Sequence, residues 1–275
     1  MNNPKNKWLA TPYIIWMIGF TIIPLALIVY YGLTNKSGAF TLANVLSIAE
    51  PEHAKALFLS LGLSLVSTLI CLVLAYPLAM ILRKKGVSSG SFVVFIFILP
   101  MWMNFLLRTY AWMAILENNG LINQFLGFFS IGPFQMIDTQ GAIVLGMVYN
   151  FLPYMILPIF SVIEKMDHRV IEAAQDLGAN STQVFCRVIF PLSLPGVLSG
   201  ITMVFVPSVS TFAISTMLGG GTEYLLGDLI EQQFMGNAYN PQLGAAISLV
   251  MMVIVVVCMW VMNRFGEGEE QAVML

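Results

Sequence analysis

The sequence predicts an all-α integral membrane protein with about six transmembrane helices. Only 9% of its 275 residues are charged and 58% are hydrophobic, where a soluble domain carries about 25% charged residues. So few charges cannot coat a water-facing surface. The apolar residues also fall in long blocks without the period-2 alternation of a lipid-facing strand, which leaves helices rather than a closed barrel to satisfy the backbone in lipid.

About 20 apolar residues are needed to cross ~30 Å of hydrocarbon as a helix, and six stretches supply them. They are Thr11–Leu33, Ala56–Leu82, Ser91–Leu116, Gly141–Ile163, Leu192–Leu218 and Leu243–Asn263. The first follows Lys5 and Lys7 and outruns the 7–15 apolar residues of a secretory signal, so it reads as an uncleaved first span. Basic residues mark the orientation. One side receives Lys5, Lys7, Arg83, Lys84, Lys85, Lys165, Arg169, Arg187 and Arg264, and the other only Lys36 and Lys55. Nine against two places both termini in the cytoplasm. The chain then reads as one permease-type membrane domain, 1–275, with its main cytoplasmic loop at 164–191.

Between the spans, Leu121–Phe129 and Tyr224–Phe234 are too short to cross and read as interfacial helices on the outer side. Prolines at 24, 77, 100, 153, 158, 195 and 207 lie in the spans. Each removes a helix hydrogen bond, giving either packing kinks or a bundle that changes shape.

Several function classes lack their chemistry. No G-x-x-x-x-G-K-[ST] phosphate loop is present, so ATP hydrolysis would fall to another subunit. No histidine lies in a span and no H-E-x-x-H occurs, so Ser208, Ser210 and Ser215 have no base beside them for an intramembrane enzyme. Cys71, Cys186 and Cys258 form no C-x-x-C, and neither a metal site nor a bound cofactor is expected. A net charge of −2 gives no reason to expect a nucleic-acid partner. Apart from Arg108 the spans hold no mid-membrane ionisable residue of the kind a secondary carrier uses.

The loop carries the sharpest signal. From Asp167 to Leu177, Val170, Ile171, Ala174 and Leu177 recur at near-helical spacing, with Glu172, Gln175 and Asp176 on the other side. Gly178 ends that helix, and Asn180 with Gln183 caps a second one that leads to the membrane at Pro191. Such a helix either docks into a partner or lies on the lipid headgroups.

Glu172-Ala173-Ala174, Gly178, then Val188, Phe190 and Pro191 resemble the E-A-A-x-x-x-G-x9-I-x-L-P signature of ABC importer permeases, with apolar swaps at 188 and 190. The resemblance implies the type I ABC importer permease fold, a bacterial inner-membrane location, and a coupling helix that docks onto cytoplasmic ATPase subunits through Glu172, Ala173, Ala174 and Gly178. It also implies a second permease, forming a heterodimer, and an extracytoplasmic solute-binding protein.

Pro100-Met101-Trp102 and Leu107-Arg108-Thr109-Tyr110-Ala111-Trp112 are similar to a stretch of the spermidine/putrescine permeases. So are Leu218 to Gly221, Leu226 to Ile230, Gln233-Phe234 and Gly244 to Ala246, with Asp228 where Asn is common. A polyamine needs carboxylates for its ammonium groups and aromatic faces for its stem. Candidate path residues are Trp102, Asn104, Arg108, Tyr110, Trp112 and Asp228, and for the three aromatics the alternative is an anchor at the membrane interface. The outer connections hold Glu50, Glu52, Glu117, Asp138, Glu223, Asp228 and Glu231 against Lys36 and Lys55, seven acids to two bases. That excess either draws cations or is the orientation bias seen from the other side. Arg108 repels a polycation, and two readings stand: it snorkels outward or pairs with Glu117 or a partner's acid, or it forms a gate. Asn104 one turn below and Trp112 one turn above share its helical face. Another small solute, such as an aminoalkylphosphonate, ferric ion or thiamine, also remains open.

Overall fold

Helices of 22 to 34 residues dominate the computed structural model, which describes residues 11–87, 92–221, 223–236 and 239–273. Lys5, Lys7 and the expected span start at Ser91 lie outside the described residues. Five helices are long and apolar enough to cross a membrane, and a bent pair makes a sixth crossing if counted as one span.

The first helix, α1 (Thr11–Gly32), contains a wide π-turn at Ile18–Ile22, just ahead of Pro24. Proline cannot donate and its ring crowds the carbonyl four residues back; an extra residue in the turn relieves both. Helix α2 (Pro51–Lys84) runs unbroken through Pro77, with Glu52 in its first turn and Arg83 and Lys84 in its last, each charge complementing the helix dipole.

The third expected span is corrected. It breaks into α3 (Phe92–Trp102) and α4 (Phe105–Leu116), and the crossing bends by 95°. Asn104 makes the break, because its Oδ1 accepts the backbone N–H groups of Leu106 at 2.9 Å and Leu107 at 3.2 Å. It thereby starts a new helix as an N-cap instead of continuing the old one, and so lies outside the helical face it was expected to share with Arg108. The short helix α5 (Leu121–Gly127) follows.

Helix α6 (Gln140–Lys165), capped by Thr139, matches the fourth expected span. After the loop helix α7 (His168–Asp176) comes α8 (Ser181–Val209). The fifth expected span is also corrected: α8 starts well before Leu192 and ends at Val209, and residues to Leu218 form a separate helix, α9 (Ala213–Leu218). Near the end, Ser208 Oγ donates to the Val204 carbonyl at 2.7 Å and Ser210 Oγ to that of Val206 at 3.2 Å. Such back-bonding competes with the helix ladder. The chain finishes with α10 (Leu226–Met235) and α11 (Pro241–Val273).

Contacts gather in two units: residues up to Lys55 with Leu229–Ile254, and Ala56–Asp228 with the chain from Val255 onward. In the first unit Gly32 lies against the backbone of Ala245 and Ala246, where a Cβ would come within 3.2 Å. In the second, α6 and α8 pack most extensively. Lipid offers no hydrophobic drive between helices, so small residues that let backbones approach matter most. A Cβ on Gly196 would fall 2.8 Å from the Pro158 carbonyl, and one on Gly200 2.7 Å from Met155 Sδ. Around this contact Ile159, Phe160, Ile163, Val197 and Val204 are buried, together with Cys71, Ala75 and Ala79 of α2. A second cluster, toward the other end, joins Ile143, Met147, Ile214, Leu218 and Leu225.

Candidate functional site

The 164–191 loop folds as helix, glycine turn, helix. Asp167 Oδ1 caps α7 by accepting the Arg169 N–H at 2.9 Å. At the other end Gly178 adopts φ +86°, the Gly178 N–H reaches the Gln175 carbonyl at 2.8 Å, and the Ala179 N–H reaches that of Ala174 at 3.1 Å. These two bonds make a Schellman turn, which needs a left-handed residue where glycine carries no Cβ penalty. Asn180 and Gln183 then close a reciprocal capping box, at 2.9 Å in both directions, and α8 begins at once. The loop is thus a stiff elbow with its turn bonds satisfied.

Within α7 the apolar residues divide. Ile171 and Ala174 are partly buried, while Val170 and Leu177 point outward, Leu177 at 90% exposure. Glu172, Ala173 and Gly178 are exposed too. Glu172 Oε1 lies 3.1 Å from His168 Nδ1 one turn back. The outward surface therefore combines apolar Val170 and Leu177 with a carboxylate and small residues.

Two residues outside the candidate site set, Arg83 and Tyr76, tie the elbow to the spans. Arg83 Nη2 donates to the Met166 carbonyl at 2.9 Å. Tyr76 Oη lies 2.6 Å from Ser193 Oγ, and its ring meets Phe185 edge-on at 5.5 Å. Both join α2 to the loop or to the first turns of α8. Arg83 was visible as a basic helix end; a lone tyrosine in an apolar span carries no such signal.

The other candidates do not form one cluster. Arg108 is only 8% exposed and donates from Nη1 to the Pro100 carbonyl at 2.7 Å. Rather than extending outward it is buried, its Nε has no hydrogen-bond partner, and no ion pair among the described residues, with Glu117 or another acid, involves it. Its guanidinium carbon stands 6.0 Å from the Tyr149 ring centre, and Trp112 meets the same ring edge-on at 5.2 Å. A cation at the C-terminus of α3 suits that helix dipole, so Arg108 fastens the two halves of the broken span. Tyr149, on α6, completes this group and was not foreseen. Trp102 and Tyr110 are exposed, Trp102 meeting Phe95 edge-on at 5.2 Å.

Asp228 is buried. Its Oδ1 accepts from Ser215 Oγ at 2.8 Å and Thr216 Oγ1 at 2.9 Å, and Oδ2 from the Leu225 N–H at 2.7 Å. Beside it the Leu226 N–H donates to Ser60 Oγ of α2 at 2.7 Å. The carboxylate thus ties α9 to the start of α10. Glu117 and Asp138 are exposed and line a cavity of about 360 Å³ with Asn118 and Asn119.

The family described as "Binding-protein-dependent transport system inner membrane component" matches residues 72–268. The chain belongs to that family. It is a transporter permease of the inner membrane. It is 34% identical to the spermidine/putrescine transport system permease protein PotB of Haemophilus influenzae, over 97% of this chain and 96% of that protein. It is also 34% identical to PotB of Escherichia coli, over 87% and 90% respectively. The inner membrane ABC transporter permease protein YdcU of E. coli is 27% identical over 83% of this chain and 77% of its own. Among solved structures, the permease fold recurs in a bacterial ABC transporter that imports the polysaccharide alginate, at TM-score 0.75, 17% identity and 96% coverage of both chains. It recurs also in the inward-facing MetNI methionine transporter, at TM-score 0.58, 18% identity and coverage of 80% and 99%.

Proposed function

We propose that this permease is one of two different membrane subunits of an ATP-driven importer for polyamines of the spermidine/putrescine class. What carries the solute assignment is the 34% identity to permeases of that name over almost the whole chain. Cytoplasmic ATPase subunits grip the outward surface of α7 through Glu172, Ala173, Ala174 and the Gly178 turn, and hydrolyse the ATP, while this chain binds no cofactor. Both termini are cytoplasmic, as the nine-to-two basic asymmetry supports.

A stiff elbow transmits displacement. When the ATPases close, movement of α7 passes through the Schellman turn and capping box to α8, and through Arg83 and Tyr76 to α2. A solute-binding protein delivers the cation on the far side, where Glu117 and Asp138 stand exposed. Trp102, Tyr110 and Trp112 offer aromatic faces to its methylene stem. Asn104 and Arg108 hold the bend that presents those rings, and Asp228 holds the α9–α10 corner; these three shape the path without binding the cargo.

Reconstitution with the ATPase, second permease and binding protein tests this. Uptake of labelled spermidine that requires ATP, is competed by putrescine and collapses in Glu172→Lys is the expected result. ATP-driven uptake of some other solute with the same Glu172 dependence would discard the polyamine assignment and keep the coupling role.

A further inference from the structure

At the loop end of the second unit a cavity of about 610 Å³ opens between the last turns of α2, the inner side of α7 and the first turns of α8. Its lining mixes apolar side chains, among them Met80, Ile171, Val184 and Phe185, with the basic Arg83, Lys84 and His168, and holds no Asp or Glu. Arg83 spends one nitrogen on the Met166 carbonyl, which leaves other N–H groups of its five-donor fork. His168 uses Nδ1 toward Glu172 and keeps Nε2. No ion pair among the described residues involves Arg83 or Lys84. A pocket whose apolar lining is joined by two basic side chains, Arg83 and Lys84, paired with no carboxylate among the described residues, matches an amphiphile with an anionic head. It opens at the helix ends that carry the basic flanks Arg83 and Lys84, and anionic lipids attract Lys and Arg near a membrane surface.

We propose that this cavity binds one anionic phospholipid, with its phosphate on Arg83, Lys84 and His168 and the first acyl methylenes against Val184 and Phe185. The bound lipid braces α7 against α2 and α8, so that membrane composition sets how stiffly the loop is held.

The test uses the assembled importer in nanodiscs of phosphatidylcholine with or without phosphatidylglycerol, and reads retained lipid by native mass spectrometry. Phosphatidylglycerol is retained over phosphatidylcholine. Lys84→Gln weakens its retention about fivefold, the equivalent of one basic residue at an anionic surface. Lys85→Gln, one residue on but outside the lining, leaves it unchanged. Ser181→Phe, which fills the cavity without touching a charge, also abolishes retention. Equal effects of Lys84→Gln and Lys85→Gln would mean diffuse surface attraction and overturn the site. So would equal retention of the two lipids, or displacement by inorganic phosphate, which marks a free-anion site. Lipid mass is read whatever solute is carried, so this proposal and the polyamine assignment fail separately.

Discussion

The α6–α8 loop and the broken crossing α3–α4 carry the two most specific stretches of the sequence, yet they are held in opposite ways. The loop is secured by backbone bonds and short caps, and of its named residues Glu172, Ala173 and Gly178 are exposed while Ala174 is partly buried. The crossing is secured by a buried cation whose Nη1 reaches a helix-end carbonyl, and by Asn104 taken up as a helix cap. The difference teaches that a motif's residues need not share one task. In the loop the spacing sets the turn and the exposed surface of α7; in the crossing Asn104 caps α4 and Arg108 bonds the end of α3.

Four substitutions sharpen or break that comparison. Glu172→Lys has the largest effect: uptake falls about 30-fold, as for an interface hot spot of about 2 kcal/mol, while the melting temperature of the purified chain is unchanged. A matching loss of thermal stability would mean that the loop, too, is held by its side chains. Arg108→Met removes a charged donor from the Pro100 carbonyl and costs about 2 kcal/mol of stability, read by thermal unfolding in detergent. If stability holds while uptake is lost, Arg108 is a gate rather than a fastener. Gly178→Ala forces a side chain into the left-handed turn at about 1 kcal/mol, and uptake declines with it. Asp228→Asn is the smallest. The Ser215 and Thr216 hydroxyls can turn to accept from an amide while its oxygen takes the Leu225 N–H, so stability stays within about 0.5 kcal/mol. Spermidine uptake that drops several-fold in this variant would show that the buried charge acts on the cation.

Much of the architecture was legible because hydropathy length suffices for a span. Gln140–Lys165 and Pro51–Lys84 extend only a few residues beyond the expected apolar blocks. Caps written in side chains were legible too: Asn180 and Gln183 close as their spacing predicts. The 95° bend was not, since the residues from 92 to 116 are apolar enough on average to read as one span, and hydropathy has no term for one asparagine that captures two N–H groups. The end of α8 was missed for a related reason, because Ser208 and Ser210 read as tolerated polar residues in a membrane helix. Candidate path residues were chosen by type, and type does not report burial. Asp228 and Arg108 are inside, whereas Trp102 is outside. Tyr76 and Tyr149 became visible only once α2 met α8 and α4 met α6.

The wide turn at Phe185–Ile189 has an effect on phase. Below it Val184 is buried; the next buried position is Ile189, five residues on, and then Ser193, Gly196, Val197 and Gly200 follow at ordinary helical spacing. One inserted residue rotates everything above it by about 100° relative to an uninterrupted helix of 3.6 residues per turn. A helical wheel drawn straight through would assign Val188 and Leu192 to the packed stripe and turn Ser193 away from Tyr76. The half of α8 that meets the loop and the half that crosses the bilayer are therefore two registers joined by one turn, and each must be compared with relatives in its own frame.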